Sequence, residues 1–138
     1  MISRTTNSGG MRALLDTHTF LWFTTGEPRL SGTARELIED PQNEMLLSLA
    51  SLWEIAIKAS LGKLVLQPSF DAAILGQMAH NDIRLLGIEI AHIREVLTLA
   101  WHHRDPFDRL MIAQARVEGI PIIGVVGVFD GYGVKRVW

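Results

Sequence analysis

The segment HHRDPFDRL, residues 102–110, places two aspartates three residues apart. This spacing suits the start of a helix, with Asp105 as N-cap, Pro106 at the first helical position and Asp108 near the positive end of the helix dipole. It also suits a site in which carboxylate oxygens bind a cation. The spacing alone leaves both interpretations open.

Two further acids follow apolar runs. Asp16 ends the run MRALL, and Glu54 lies one turn into a predicted helix. Each has a structural alternative: Asp16 caps a helix that starts at the next residue, and Ser51 with Glu54 matches a capping box. Glu54 and Lys58 also have the i,i+4 spacing of a helical ion pair. Taken singly, each acid is most simply explained by helix structure.

The apolar pattern along the chain predicts the elements that must position these acids. Short apolar runs predict strands, and the segments between them repeat with helical spacing, one after Ser31, one after Ser69 and one from Pro106 to about Val117. The expected fold class is α/β, a three-layer α/β/α sandwich with a mostly parallel sheet of four or five strands. The predicted strands are MRALL (11–15), EMLLSL (44–49), RLLGI (84–88) and PIIGVV (121–126), with VKRVW (134–138) as a possible edge strand.

This fold brings the acids together. In an open parallel sheet, ligands bind beyond the carboxyl ends of the strands, where the following helices begin. Asp16, Glu54 and the pair Asp105 and Asp108 are all expected at that edge. Clustered carboxylates raise one another's pKa unless a cation lies between them. An oxygen-only set without cysteine favours Mg²⁺ or Mn²⁺, and therefore a metal-dependent phosphoryl hydrolase.

Length and composition limit the other possibilities. The 138 residues fit one domain, predicted at 11–138, after a disordered N-terminal extension at 1–10; Met1 and Met11 are both candidate natural starts. The chain is 48% apolar and 20% charged, as in ordinary folded proteins, and has no cysteine, which fits a cytoplasmic location. The longest apolar run is too short to cross a bilayer, so we expect no membrane role. A net charge of −2 excludes a broad basic surface.

Three blocks, LLDTHTFLW (14–22), SLWEIAIKASLGKL (51–64) and HRDPFDRLMIAQA (103–115), resemble in order and separation the PIN-domain ribonucleases, specifically the VapC-type toxins of toxin–antitoxin pairs. The resemblance implies a PIN-like fold and cleavage of RNA with Mg²⁺ or Mn²⁺. It also implies inhibition by a cognate VapB-type antitoxin, and a homodimer. The family's first three acids fall on Asp16, Glu54 and Asp108, as catalytic residues and metal ligands, and Asp105 matches an additional acid, either a supporting ligand or a helix cap.

The chain departs from the family pattern after the fourth predicted strand. There the family usually has Thr or Ser and, two residues later, Asp; alignment on Phe129 puts Gly124 and Val126 at these positions. Valine cannot bind a cation. The alternatives are an enzyme that works with three acids, a catalytically impaired PIN-domain protein that binds antitoxin or RNA, and an α/β domain without metal chemistry.

Several basic residues flank the acids and are candidates for binding RNA phosphates, although each also fits a solvated face: Arg104, Lys58, Lys63 and Arg109. The sequence gives no support for zinc, because the adjacent His102 and His103 point apart on most backbones and lack further nitrogen or sulfur ligands.

Large aromatic residues are expected in the core or at interfaces rather than as base-stacking platforms. This applies to Trp22, Trp53 and Trp101. Trp22 and Phe23 are also candidates for a hydrophobic groove that binds an antitoxin helix.

Overall fold

A computed structural model describes residues 10–125 and 127–138 of the chain. Five strands form one sheet in the order β3-β2-β1-β4-β5, and all neighbouring strands are parallel. The predicted fold class, including the fifth strand, is confirmed. The strands are β1 (Arg12–Leu15), β2 (Glu44–Ser48), β3 (Ile83–Leu86), β4 (Ile122–Ile123) and β5 (Arg136–Val137).

Helices connect the parallel strands, as right-handed crossovers require. A π-helical turn at Asp71–Gly76 runs directly into the fourth helix, and a 3-10 helix at Gly127–Tyr132 follows β4. β4 is therefore shorter than the run PIIGVV predicted, and Val126 lies outside the described residues. The helices are α1 (Thr17–Thr25), α2 (Gly32–Glu39), α3 (Leu49–Ser60), α4 (Gln77–His80), α5 (Ile90–Val96) and α6 (Pro106–Glu118).

The central strands β1, β2 and β4 are buried on both faces, which is why they read as continuous apolar runs rather than alternating ones. Leu15, Leu47 and Ile123 belong to one core cluster, which they share with side chains of α1 to α4. Their neighbours in sequence, such as Leu14, face the second cluster, which contains side chains of α6. Side chains of successive strand residues point to opposite faces, so the two clusters form the two sides of a three-layer sandwich.

The ends of two helices test the capping predictions. Ser31 caps α2, and its hydroxyl accepts a hydrogen bond from the Ala34 N–H at 3.0 Å. The structural alternative of a capping box at Ser51 and Glu54 is wrong, because α3 begins at Leu49 and Ser51 lies inside it. Ser48, the last extended residue of β2, is its N-cap and accepts from the Ala50 N–H at 3.0 Å.

The sheet order places β1 between β2 and β4. From β1 the chain builds outward through β2 and β3 on one side, and it then crosses to the other side to form β4 and β5. The crevice at such a switch point, beyond the carboxyl ends of the strands, is the usual ligand site in open α/β sheets. Asp16 immediately follows β1 at this point. Among the described residues, the helices are all too short or too polar to cross a membrane.

Candidate active site

Asp16 occupies the N-cap position of α1, but its side chain makes no capping hydrogen bond. The side chain is buried, with the whole residue 3% exposed, and its Oδ2 atom has no hydrogen-bond partner. His18 Nδ1 lies 3.9 Å from that oxygen, too far for a hydrogen bond. An unpaired buried oxygen is costly, so helix capping does not explain Asp16.

The surroundings of Asp16 also disfavour its charge. Burial raises the pKa of this carboxyl to about 7, and the negative charges of Asp108 and Glu54 act in the same direction. The backbone N–H groups of Thr17 and His18 oppose the shift. A buried carboxylate beside two other acids is stabilised in its charged form by a cation.

Glu54 is buried on α3, and neighbouring side chains hold both of its oxygens. Oε1 accepts from the Thr17 hydroxyl at 2.8 Å, and Oε2 accepts from Lys58 Nζ at 2.9 Å. The predicted i,i+4 ion pair is therefore present. Ser51 Oγ lies 2.8 Å from the Thr17 hydroxyl oxygen. Thr17, the first residue of α1, therefore contacts two side chains of α3, those of Ser51 and Glu54.

Asp105 and Asp108 have different roles at the start of α6. Asp105 is the N-cap, and its Oδ1 accepts from the N–H groups of Phe107 and Asp108 at 2.8 and 3.0 Å. These hydrogen bonds favour the helix-cap alternative for Asp105. Asp108 has one carboxylate oxygen, Oδ2, bonded to His103 Nε2 at 2.7 Å. Burial raises the pKa of Asp108, while the His103 hydrogen bond lowers it.

The three predicted acids therefore lie at one edge of the sheet, close enough for Glu54 and Asp108 to raise the pKa of Asp16. Their oxygens do not form a compact ligand set. Within the described part of the chain, the group with ligand atoms all within 4.8 Å of one another is Glu89, His92 and Glu118. The acids at the edge are thus neighbours, and side-chain movement is needed for all three to reach one ion.

Hydrogen bonds within the group explain why Glu89, His92 and Glu118 lie close together. His92 is fully buried; its Nδ1 accepts from the Glu89 N–H at 3.0 Å, and its Nε2 lies 3.0 Å from Glu118 Oε2. Arg12 also lies 3.8 Å from Glu118. The group connects the start of α5 to the end of α6. The ring nitrogens of His92 are already used in this connection.

The basic residues predicted to bind RNA differ in their exposure and contacts. Arg104 is exposed, and Lys58 is about two-fifths exposed at its side chain. Arg109 is different: it is buried, donates to backbone carbonyls at positions 99, 100 and 103, and stacks on Trp101 with its guanidinium carbon 3.9 Å from the ring centroid. Because these contacts occupy the guanidinium, Arg109 does not fit the predicted phosphate-binding role. It fixes the loop before α6.

The aromatic residues only partly follow the prediction. Trp53 and Trp101 are 62% and 71% exposed, so neither is a core residue. Trp53 makes an edge contact with Phe107, with the ring centroids 5.4 Å apart, on the seam between α3 and α6. Trp22 is half-buried and contacts Trp138.

His103 is the site residue that sequence reasoning missed. Its sequence context suggests only a zinc ligand, whereas in the structure its ring bonds Asp108. A usable signal was present: His103 lies two residues before the N-cap of a helix that carries an acid in its first turn. A chain that turns at the cap can bring such a side chain back to that acid.

Comparisons with known proteins agree with this geometry. The family described as PIN domain matches residues 13–130. A VapBC2 structure from Rickettsia felis, bound to a promoter DNA fragment, has 12% identity and a TM-score of 0.70, and the match covers 92% of this chain and 98% of that chain. VapC20 of Mycobacterium tuberculosis, described as a sarcin–ricin loop cleaving toxin, has 19% identity and a TM-score of 0.63, with 91% and 98% covered.

FitAcB from Neisseria gonorrhoeae has 15% identity and a TM-score of 0.60, with 93% of this chain and 97% of that chain covered. No curated protein sequence matches this chain. At these identities the likeness to solved structures is one of fold. The family match extends over most of the sequence, from β1 into the 3-10 helix after β4, and therefore includes all three acids. The chain belongs to the PIN-domain family.

Proposed function

We propose that this protein is a metal-dependent endoribonuclease toxin of VapC type, neutralised by a cognate antitoxin. One observation carries the proposal: the buried carboxylate of Asp16 has an unpaired oxygen and lies beside two other acids at the ligand-binding edge of the sheet. Desolvation and mutual repulsion make this arrangement unfavourable unless a cation binds. The family match and the toxin structures of similar fold support the same function.

The residues present fit a hard divalent cation. Carboxylate oxygens without sulfur or free imidazole ligands suit Mg²⁺ or Mn²⁺. Asp16 and Asp108 would hold the ion directly, with Glu54 as the third acid and Asp105 in support through its cap. Bound there, the ion would lower the pKa of a water molecule and neutralise charge on the phosphoryl oxygens.

The protein's own side chains would complete the site. The Thr17 hydroxyl and the Lys58 ammonium fix the orientation of Glu54. The exposed Arg104, adjacent to the Asp105 cap, would attract the RNA backbone, and Lys58, which is bound to Glu54, would add positive charge. Arg109 contributes indirectly by holding the loop that carries His103.

A groove beside the acids supports the antitoxin partner. It has a volume of about 700 Å³, and its lining includes the apolar residues Leu21, Trp22 and Leu64 together with His18 and Lys58. Trp22 therefore lines it, as the sequence suggested, and Phe23 does not. Solved structures of similar fold include toxin–antitoxin complexes. We place an amphipathic antitoxin segment in this groove, and we retain the homodimer as part of the proposal.

A cleavage assay tests the function. Labelled RNA is incubated with the partner-free protein in Mg²⁺, Mn²⁺ or EDTA, beside Asp16→Ala and a control, Glu36→Ala, which removes an exposed acid on α2. We expect metal-dependent cleavage by the wild type and the control, and none by Asp16→Ala. Equal cleavage by a folded Asp16→Ala protein would overturn the assignment.

The second candidate function rests on Val126, where the family usually has an acid. It describes a PIN-domain protein that binds antitoxin or RNA with little cleavage. Absence of cleavage by folded, partner-free protein, together with retained RNA binding, would favour this candidate.

A further inference from the structure

The His103 ring contacts Asp108, one of the proposed metal ligands. Nε2 lies 2.7 Å from Oδ2, and both side chains are about three-quarters buried. A carboxylate can only accept, so the histidine nitrogen donates. We propose that His103 is a positioning residue, whose hydrogen bond holds one oxygen of Asp108 so that the other is presented to the metal ion. This inference rests on the proposed function.

The backbone of His103 is itself held. Its N–H donates to the Tyr132 hydroxyl at 2.9 Å, and its carbonyl accepts from Arg109 Nη1 at 3.1 Å. Tyr132 and Arg109 are both buried. The main chain on both sides of the His103 side chain is therefore held, which fixes the point from which the ring reaches Asp108.

Helix capping does not explain the contact. Asp105 already accepts from the Asp108 N–H, so α6 starts without help from His103. Among the described residues, none donates a hydrogen bond to Oδ1 of Asp108, so that oxygen is available to a cation. Metal-binding side chains are commonly oriented by an outer partner of this kind, and loss of such a partner typically lowers metal affinity about 10- to 100-fold.

The other histidines near the site lack this relationship. His18 Nδ1 lies 3.9 Å from Asp16 Oδ2 and its side chain is half exposed. His102 contacts the Tyr132 ring, with the ring centroids 5.2 Å apart. His102 is therefore a matched control: an adjacent histidine whose ring contacts no acid among the described interactions.

The test is Mn²⁺ binding, followed by electron paramagnetic resonance, to the full chain and to His103→Ala, His103→Gln and His102→Ala. Thermal unfolding without metal identifies variants that fail to fold. We expect His103→Ala to lower Mn²⁺ affinity about tenfold. His103→Gln should recover part of that loss because its amide can donate, and His102→Ala should bind as the wild type does.

Two outcomes overturn the inference in distinguishable ways. If the wild type binds Mn²⁺ and a folded His103→Ala variant binds it equally well, His103 does not position Asp108, while the proposed function stands. If the wild type binds no Mn²⁺, the metal site itself is wrong. Should His103→Ala fail to fold, His103→Phe replaces it, because its ring fills the same space without a donor, and unchanged affinity in that variant overturns the inference.

Discussion

Gly124, immediately after β4, lies directly against the side chain of Asp16. A Cβ atom on Gly124 would stand 3.0 Å from the Asp16 Cβ and 3.5 Å from Phe129 Cε2. Hydrogen bonds to β4 restrict movement of the Asp16 backbone away from Gly124. The Asp16 N–H donates to the Ile123 carbonyl at 3.0 Å, and the Thr19 hydroxyl donates to the same carbonyl. A side chain at position 124 would therefore crowd Asp16, and one of the two residues would have to shift by a few tenths of an ångström.

We predict that Gly124→Ala displaces Asp16 by a few tenths of an ångström. Misplacement of a reacting group lowers rate steeply, so kcat/KM for RNA cleavage should fall about tenfold or more. Overpacking should lower the free energy of unfolding by about 1 to 3 kcal/mol. Gly32→Ala is the control, since nothing lies within 4 Å of its Cβ position. Equal kinetics for the two variants would show that the close approach has no functional consequence.

Asp16→Asn should stabilise the metal-free protein at high pH while abolishing cleavage. The folded-state pKa of Asp16 is raised to about 7 from 3.8. Between these values the unfolded chain loses its proton before the folded protein does, so the free energy of unfolding falls as pH rises and the loss is complete above about pH 7. A neutral amide removes that loss.

Urea unfolding in EDTA measures the effect. At pH 8 the variant should be more stable than the wild type by roughly 1 to 3 kcal/mol, and near pH 4 the difference should be small. A stability difference that does not change with pH would contradict the electrostatic explanation for Asp16.

Thr17→Val tests whether the orientation of the Glu54 side chain matters, because the substitution leaves Glu54 itself in the protein. The substitution keeps the shape of the side chain but removes the hydroxyl that donates to Glu54 Oε1. A buried carboxylate oxygen that loses its donor costs about 1 to 3 kcal/mol, and cleavage should fall with it. Thr17→Ser retains the hydroxyl and should stay close to the wild type in both thermal unfolding and kcat. If Thr17→Ser loses activity while Thr17→Val stays close to the wild type, packing of the methyl group, and not the hydroxyl, explains Thr17.

The two arginines near the acids should respond differently to substitution. Arg109→Leu leaves three backbone carbonyls without their donor, so we expect a loss of stability of about 2 to 4 kcal/mol. Arg104→Ala should change stability by less than about 0.5 kcal/mol. It should weaken RNA binding and reduce the salt slope of the binding constant by about 1. A stable Arg109→Leu protein with weakened RNA binding would reverse these roles.

The sequence predicted the sheet and the edge occupied by the acids because both follow from local patterns. Apolar runs such as MRALL identify buried strands, and the strand ends determine where Asp16 lies. It could not predict the bonds of Arg109, since a basic residue in an amphipathic helix is normally solvated and only tertiary packing brings the loop carbonyls to it. The same holds for His103, whose partner depends on how the chain turns at Asp105.

The start of α3 illustrates a different limit. Ser48 and Ser51 both precede acceptable helical sequence, and a capping box favours the second. The helix nevertheless starts at Leu49, so that Ser51 lies inside it, with its hydroxyl close to Thr17. A tertiary contact at the site thus selects between two local alternatives of similar quality.

Val126→Asp tests whether the family's missing acid limits this protein. Asp108 and Glu54 already raise the pKa of Asp16, and neighbouring side chains orient Glu54 and Asp108. Three acids should therefore suffice for a cation-binding edge. We expect kcat/KM of Val126→Asp to stay within about threefold of the wild type, which corresponds to less than 1 kcal/mol of transition-state stabilisation. Val125→Asp, which adds the same charge at an exposed neighbouring position, controls for a general change in electrostatics. An increase of a hundredfold or more for Val126→Asp alone would mean that the natural chain is an impaired nuclease, and would favour the binding function over the enzyme.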